Sequence, residues 1–130
     1  LLALTSNIGS NDFQGLNLDN NNKLYQKVIE TSRTWKNSSR IMYVVGAKNT
    51  KEIRKIRDMV PDSYLLIPGV GAQGGNMAEI CRQGLDNNLK LIINSSRSII
   101  YASINDDFAE CAAKEAKKIR DEMENYINAL

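Results

Sequence analysis

The sequence predicts an α/β protein of parallel β-loop-α units, half of a TIM (β/α)8 barrel rather than a closed domain of its own. Three observations predict it. Apolar runs without polar alternation, such as residues 41–46 and 89–93, alternate with amphipathic segments. The order reads β-α-β-α-β-α-β-α, and the later strands recur about every 25 residues, the step of one β/α unit. Continuously apolar strands joined by helices imply a parallel sheet with right-handed crossovers, covered on both faces. Four such units make half of an eightfold barrel, and an open four-stranded sheet leaves its edges unpaired.

Residues 1–4 read as a short buried strand ending at Thr5-Ser6-Asn7. Residues 8–22 form a polar loop with an asparagine-rich stretch. Residues 23–36 place Leu24, Val28, Ile29 and Trp35 at near-helical spacing. A strand over 41–46 leads to a helix over 51–60, with Thr50 as N-cap and Ile53, Ile56 and Val60 on one face. Pro61 stops that helix. A strand over 64–67 precedes a helix over 77–87, with Ile80, Cys81 and Leu85 inward. The strand over 89–93 is followed by a short helical turn at 99–103. A last helix spans 106–130, with Phe108, Ala112, Ala116, Ile119, Met123 and Ile127 as its buried stripe.

Composition bounds the function. The 130 residues are 42% hydrophobic and 25% charged with net charge +2, which gives no reason to invoke nucleic acid or a membrane surface. No apolar run approaches the roughly 18 residues of a membrane span, and no signal peptide pattern is present. The two cysteines, Cys81 and Cys111, fall on amphipathic helices and are expected as free buried thiols in a reducing cytoplasm. With no histidine, the commonest general base and histidine-based metal sites are excluded. The chain begins at Leu1 within an apolar run, which reads as a fragment or as the second piece of a longer chain.

Two strand-to-helix loops carry the chemistry. Pro68 to Gly75 holds glycines at 69, 71, 74 and 75, which allow positive φ and turn backbone N–H groups toward an anion; Gln73 adds an amide donor. The helix starting near Met77 contributes its positive end. Read alone, this is either a phosphate loop or a plain glycine-rich turn; it is not a Walker A loop, since no Gly-Lys-Ser/Thr follows. In the second loop, Asn94-Ser95-Ser96-Arg97, an arginine just past a buried strand offers two hydrogen bonds to a phosphate. Adjacent loops of this kind at one end of a parallel sheet hold phosphates in β/α barrels. Thr5-Ser6-Asn7 is the third polar strand end on that rim, and Gly46-Ala47-Lys48-Asn49 the fourth, with Lys48 read as solvated.

In order and spacing, Thr5-Ser6-Asn7, Val44-Val45-Gly46-Ala47, Leu66 through Gly75 and Asn94 through Ala102 together resemble the orotidine 5′-phosphate decarboxylase family. The resemblance spans nearly the whole chain and implies strands five to eight of that family's barrel. It implies that Gln73 contacts the 5′-phosphate and reaches toward the pyrimidine, and that Arg97 grips the phosphate with help from the backbone near Ser96. Ser6 would bond the pyrimidine edge, and Pro68 and Val70 would line an apolar wall against the base. It further implies orotidine monophosphate and UMP as ligands, no cofactor, a homodimer, and a partner half of the barrel. The family's catalytic Asp-x-Lys-x-x-Asp array is missing. Lys55-Ile56-Arg57-Asp58 has part of its spacing but lies on an amphipathic helix, with Ile53 where the first aspartate belongs. This chain therefore contributes binding residues and no catalytic ones, and alone is expected to be inactive. Two other readings stand: a different phosphate-binding barrel enzyme acting on a sugar phosphate, and a non-catalytic half-barrel that self-associates.

Overall fold

A computed structural model describes residues 1–71 and 75–130. Four strands, β1 (Leu2–Leu4), β2 (Tyr43–Val45), β3 (Leu65–Pro68) and β4 (Leu91–Asn94), form one sheet in sequence order. All three pairings are parallel. The helices are α1 (Ser10–Phe13), α2 (Leu24–Arg33), α3 (Thr50–Met59), α4 (Met77–Gly84), α5 (Arg97–Ile100) and α6 (Phe108–Ile127). This is four consecutive β/α units, the architecture of half an eightfold barrel. No helix among the described residues is long and apolar enough to cross a membrane.

The core lies between the sheet and one helical layer. Tyr43, Val45, Leu65, Ile67 and Leu91 point from the strands into Ile29, Ile53, Ile56 and Ile80, all of them buried. α2 packs on β1 and on α3, α3 on α4, and α4 on α6. The opposite sheet face is bare, contrary to the expectation of strands covered on both sides. Register aligns Leu2 with Val44, Val44 with Leu66, and Leu66 with Ile92, one apolar row across all four strands. Leu2 is 60% and Ile92 38% exposed. Val44 and Leu66 between them are half-buried, and the buried helix residues of the core come from α2, α3 and α4 on the other side of the sheet.

Several local expectations change. The loop at 8–22 contains α1 and a 3-10 turn at Asp19–Asn21. α2 ends at Arg33, and its inward face is Tyr25, Ile29 and Ser32, while Val28 and Trp35 face out. The polar Ser32 is buried because its hydroxyl meets the Ile29 carbonyl at 2.7 Å and the Tyr43 hydroxyl at 2.8 Å. Asn49, not Thr50, is the N-cap of α3, and its side chain bonds the Thr5 carbonyl instead of the helix. α4 stops at Gly84, and Leu89 leaves the strand to sit in a turn at φ +52. The helical turn after β4 starts two residues early, at Arg97. α6 has no fully buried residue: Ile119, Met123 and Ile127 pack against the core, but Phe108 and Ala116 face solvent, because only α4 and α5 lie against it. Both cysteines are free, Cys81 buried but Cys111 only half-buried. Burial, with Glu122 nearby, pushes the Cys81 thiol up to about 11. The hydrogen bond to Asp107, 3.3 Å away, raises Cys111. Neither is a nucleophilic thiolate at neutral pH.

One cluster makes stability pH-dependent. The Tyr25 hydroxyl donates to Glu52, which also meets Lys23 at 3.6 Å and Lys55 at 3.3 Å. Burial acts to raise the Glu52 carboxyl, but the Tyr25 hydroxyl and the two lysines together outweigh it and hold Glu52 below its ordinary value. A carboxylate depressed in the folded state stabilises above its unfolded pKa, and that contribution fades as pH falls through the folded value. Urea unfolding should therefore show stability declining below about pH 4.5, the ordinary value of this group. Glu52→Gln should flatten that decline; an identical pH slope in the variant would show that Glu52 is not its source.

Candidate functional site

All four strands run the same way, so their C-terminal ends form one rim. Backbone bonds tie each strand end to the next: Gly46 N–H to the Leu4 carbonyl at 2.8 Å, Ala47 N–H to Pro68 at 3.2 Å and Gly69 N–H to Asn94 at 3.3 Å. The polar loops named from the sequence are thereby neighbours in space.

At the β3–β4 end, Pro68, Gly69, Val70, Asn94, Ser95, Ser96 and Arg97 enclose a cavity of about 80 Å³. Gly69 and Gly71 take φ +93 and +76, the left-handed turn that a Cβ would strain. The two loops are joined by the Ser95 hydroxyl, which donates to the Val70 carbonyl at 3.2 Å and sits 2.5 Å from Ser98. Ser96 and Arg97 are exposed, and among the described residues the Arg97 guanidinium makes no hydrogen bond or ion pair. A cation held at the mouth of a small polar cavity is what an anionic group would meet. The helix after the first loop begins at Met77, as the sequence indicates, with the Asn76 side chain accepting from Glu79 N–H.

At the β1–β2 end, a second cavity of about 410 Å³ opens over the bare sheet face, lined by Leu2, Val44, Ser6, Asn7, Gly46, Lys48 and Pro68 among others. Apolar strand residues form its floor and polar loop residues its rim, the composition of a small-molecule site. Pro68 lines both cavities, so the two are neighbours on either side of it. Lys48 is exposed, as expected, yet lines this cavity too.

The structure thus brings Pro68, Val70, Ser96 and Arg97 together and sets Ser6 next to them across Pro68. Val70 is buried and lines only the smaller of these two cavities. Gln73 lies outside the described residues. The partial array on α3 is taken up elsewhere: Lys55 pairs with Glu52, Asp58 pairs with Arg54 at 3.0 Å, and Arg57 is buried under the sheet's other end. The roles of three residues within the named loops were not legible from the sequence. Asn49 donates from its side chain to the Thr5 carbonyl at 3.0 Å, Ser95 ties the loops after β3 and β4, and Gly46 lies against Ser6. Only the glycine ending an apolar strand hinted at a close approach.

No family model matches the chain. Curated relatives match it end to end. The orotidine 5′-phosphate decarboxylase of Flavobacterium johnsoniae is 53% identical over 129 residues, 99% of this chain and 47% of that protein. That of Christiangramia forsetii is 49% identical over 130 residues, covering 100% and 47%. The chain spans about half the length of the curated relatives it matches. Among solved structures, Leishmania donovani OMP decarboxylase superposes with TM-score 0.74 at 27% identity, covering 94% of this chain and 46% of the other. Leishmania donovani UMP synthase gives TM-score 0.73 at 31% identity, covering 90% and 26%. Sequence and fold agree: over its whole length the chain matches the C-terminal half of the orotidine 5′-phosphate decarboxylase family.

Proposed function

We propose that this chain is the phosphate- and pyrimidine-binding half of an orotidine 5′-phosphate decarboxylase, which converts orotidine monophosphate to UMP and CO2. One observation carries the reading: the paired loops after β3 and β4 present Arg97 at one cavity, and across Pro68 lies a second cavity lined by Ser6. In this arrangement Arg97 and the backbone near Ser96 bind the 5′-phosphate, and Gln73 spans from phosphate toward base. Ser6 reads the pyrimidine edge, with Pro68 and Val70 as apolar wall. Binding energy gathered at the phosphate, remote from the reacting carbon, serves the transition state. The family's Asp-x-Lys-x-x-Asp array does not occur in this sequence, so the group that protonates the carbon losing CO2 is assigned to the other half of the barrel.

The remaining half supplies that chemistry. The bare apolar face and the two open sheet edges fit four further β/α units, and relatives of about twice this length support that. The 130 residues are then the C-terminal half of a single barrel domain. The family reading also carries a homodimer in the cytoplasm. A sugar-phosphate enzyme or a self-associating half-barrel is less well supported, since the relatives with full coverage of this chain are named as decarboxylases.

The test is complementation. The purified chain alone should leave the absorbance of orotidine monophosphate unchanged. Mixed with the N-terminal half of the Flavobacterium johnsoniae relative, it should turn substrate over. Turnover by the chain alone contradicts the division of labour. A folded complex of both halves that binds no UMP contradicts the ligand.

A further inference from the structure

Ser6 does not hold its own position. A Cβ built on Gly46 would collide with the Ser6 hydroxyl and come within 2.7 Å of the Ser6 backbone nitrogen and 3.0 Å of its Cβ. Two residues on, the Lys48 N–H donates to the Ser6 hydroxyl oxygen at 3.3 Å. One more residue on, the Asn49 amide donates to the carbonyl of Thr5, while Thr5 N–H is held by the Gln14 side chain at 2.8 Å. The turn after β2 is thus folded down onto the turn after β1, and the contact is close enough that residue 46 has room for hydrogen alone.

We propose that Gly46 is a positioning residue for base recognition: its missing side chain lets the Lys48 amide reach Ser6 and fixes the Ser6 hydroxyl as a donor toward a ring carbonyl. The proposal rests on the pyrimidine reading above and adds its polarity. A hydroxyl oxygen that accepts from a backbone amide keeps its proton for another partner. Among the described residues no acceptor takes that proton. The cavity wall at Ser6 then favours an oxo group on the base edge, which takes that proton, over an amino group, which leaves it without an acceptor. Gly46 touches no ligand in this arrangement and acts only through Ser6.

The experiment titrates UMP, CMP and ribose 5-phosphate into the assembled two-half barrel. The parent should prefer UMP to CMP. Gly46→Ala should weaken UMP about tenfold, the worth of one buried neutral hydrogen bond. It should also erase the preference over CMP and leave ribose 5-phosphate affinity unchanged. Ser6→Ala should reproduce that pattern, and Gly46→Ala in the Ser6→Ala background should lose no further selectivity. A structural defect would lower all three ligands together, and that outcome overturns the proposal, as does an intact UMP preference in Gly46→Ala. If Gly46→Ala does not fold, because its Cβ also comes within 2.7 Å of the Ser6 backbone nitrogen, Ser6→Ala alone carries the test: a retained preference for UMP over CMP in that variant overturns the proposal. A parent that binds UMP no tighter than ribose 5-phosphate sinks the pyrimidine reading itself, a result separable from any effect of residue 46.

Discussion

Arg57→Ala should destabilise the chain by about 3–5 kcal/mol, the range for breaking a buried charged network. The Arg57 side chain is 3% exposed. Its guanidinium donates to the carbonyls of Gly84 (3.1 Å), Val60 (3.2 Å), Pro61 (3.2 Å), Ser63 (2.8 Å) and Lys90 (2.7 Å), with Asp86 3.9 Å away. One side chain therefore closes off the end of α3, the turn into β3, the end of α4 and the entry to β4. Burial pulls the guanidinium below its ordinary pKa and Asp86 pushes back, but an arginine stays charged. The Val60 and Lys90 carbonyls keep backbone partners in Ser63 and Leu65 after truncation. The other three carbonyls lose a donor, and each buried orphan costs about 1–3 kcal/mol unless water enters. In a thermal melt the loss corresponds to roughly 10–20 °C for a domain of this size. Arg57→Lys should recover only part, since an ammonium lacks the planar fork. Arg54→Ala, whose pair with Asp58 is exposed, is the control and should stay within about 0.5 kcal/mol. A loss of under about 1 kcal/mol for Arg57→Ala would show that water replaces the guanidinium without penalty.

That network also shows where the sequence stops being legible. The periodicity of Ile53, Ile56 and Val60 located α3 and its inward face. Nothing in it distinguished Arg57, which lies on the same face beside Ile56 and reads as one more charged helix residue. Its value comes from carbonyls at positions 61, 63, 84 and 90, and those converge only after the sheet has formed. The same holds at the rim. Apolar runs ending in Gly46, Gly69 and Asn94 told where strands end, and parallel topology then put those ends together. The collision course between Gly46 and Ser6 depends on a register separated by forty residues of chain. Failures of the opposite kind came from reading each segment as if fully covered. Leu2, Val44, Leu66 and Ile92 have the composition of core and the position of core in a closed barrel, but in this chain Leu2 and Ile92 are exposed and Val44 and Leu66 only half-buried. Phe108 and Ala116 on α6 failed for the same reason. Hydrophobic pattern reports the burial for which a sequence is suited, and on this face of the sheet the described elements do not complete it.

Arg97→Ala should weaken UMP binding by about 2–4 kcal/mol, roughly 30- to 700-fold, because it leaves a desolvated phosphate charge without its cation. Arg97 lies three residues past the end of β4, at the first position of α5, and lines the cavity bounded by Pro68, Gly69 and Val70. Among the described residues it has no competing ion pair, so ligand binding does not first have to break one. The loss should be equal for UMP and ribose 5-phosphate, since both present the same phosphate, and this separates Arg97 from the base-selective effect expected at Gly46. Arg97→Lys should retain part of the affinity, keeping the charge but losing the paired N–H donors. Raising the ionic strength should weaken the parent more than the alanine variant, because screening acts on the charge that the variant lacks. Gln73→Ala, by contrast, removes a neutral donor and should cost only about 1–2 kcal/mol. An unchanged UMP affinity in Arg97→Ala would remove Arg97 from the phosphate site and leave Gln73 and the backbone of the two loops as its donors.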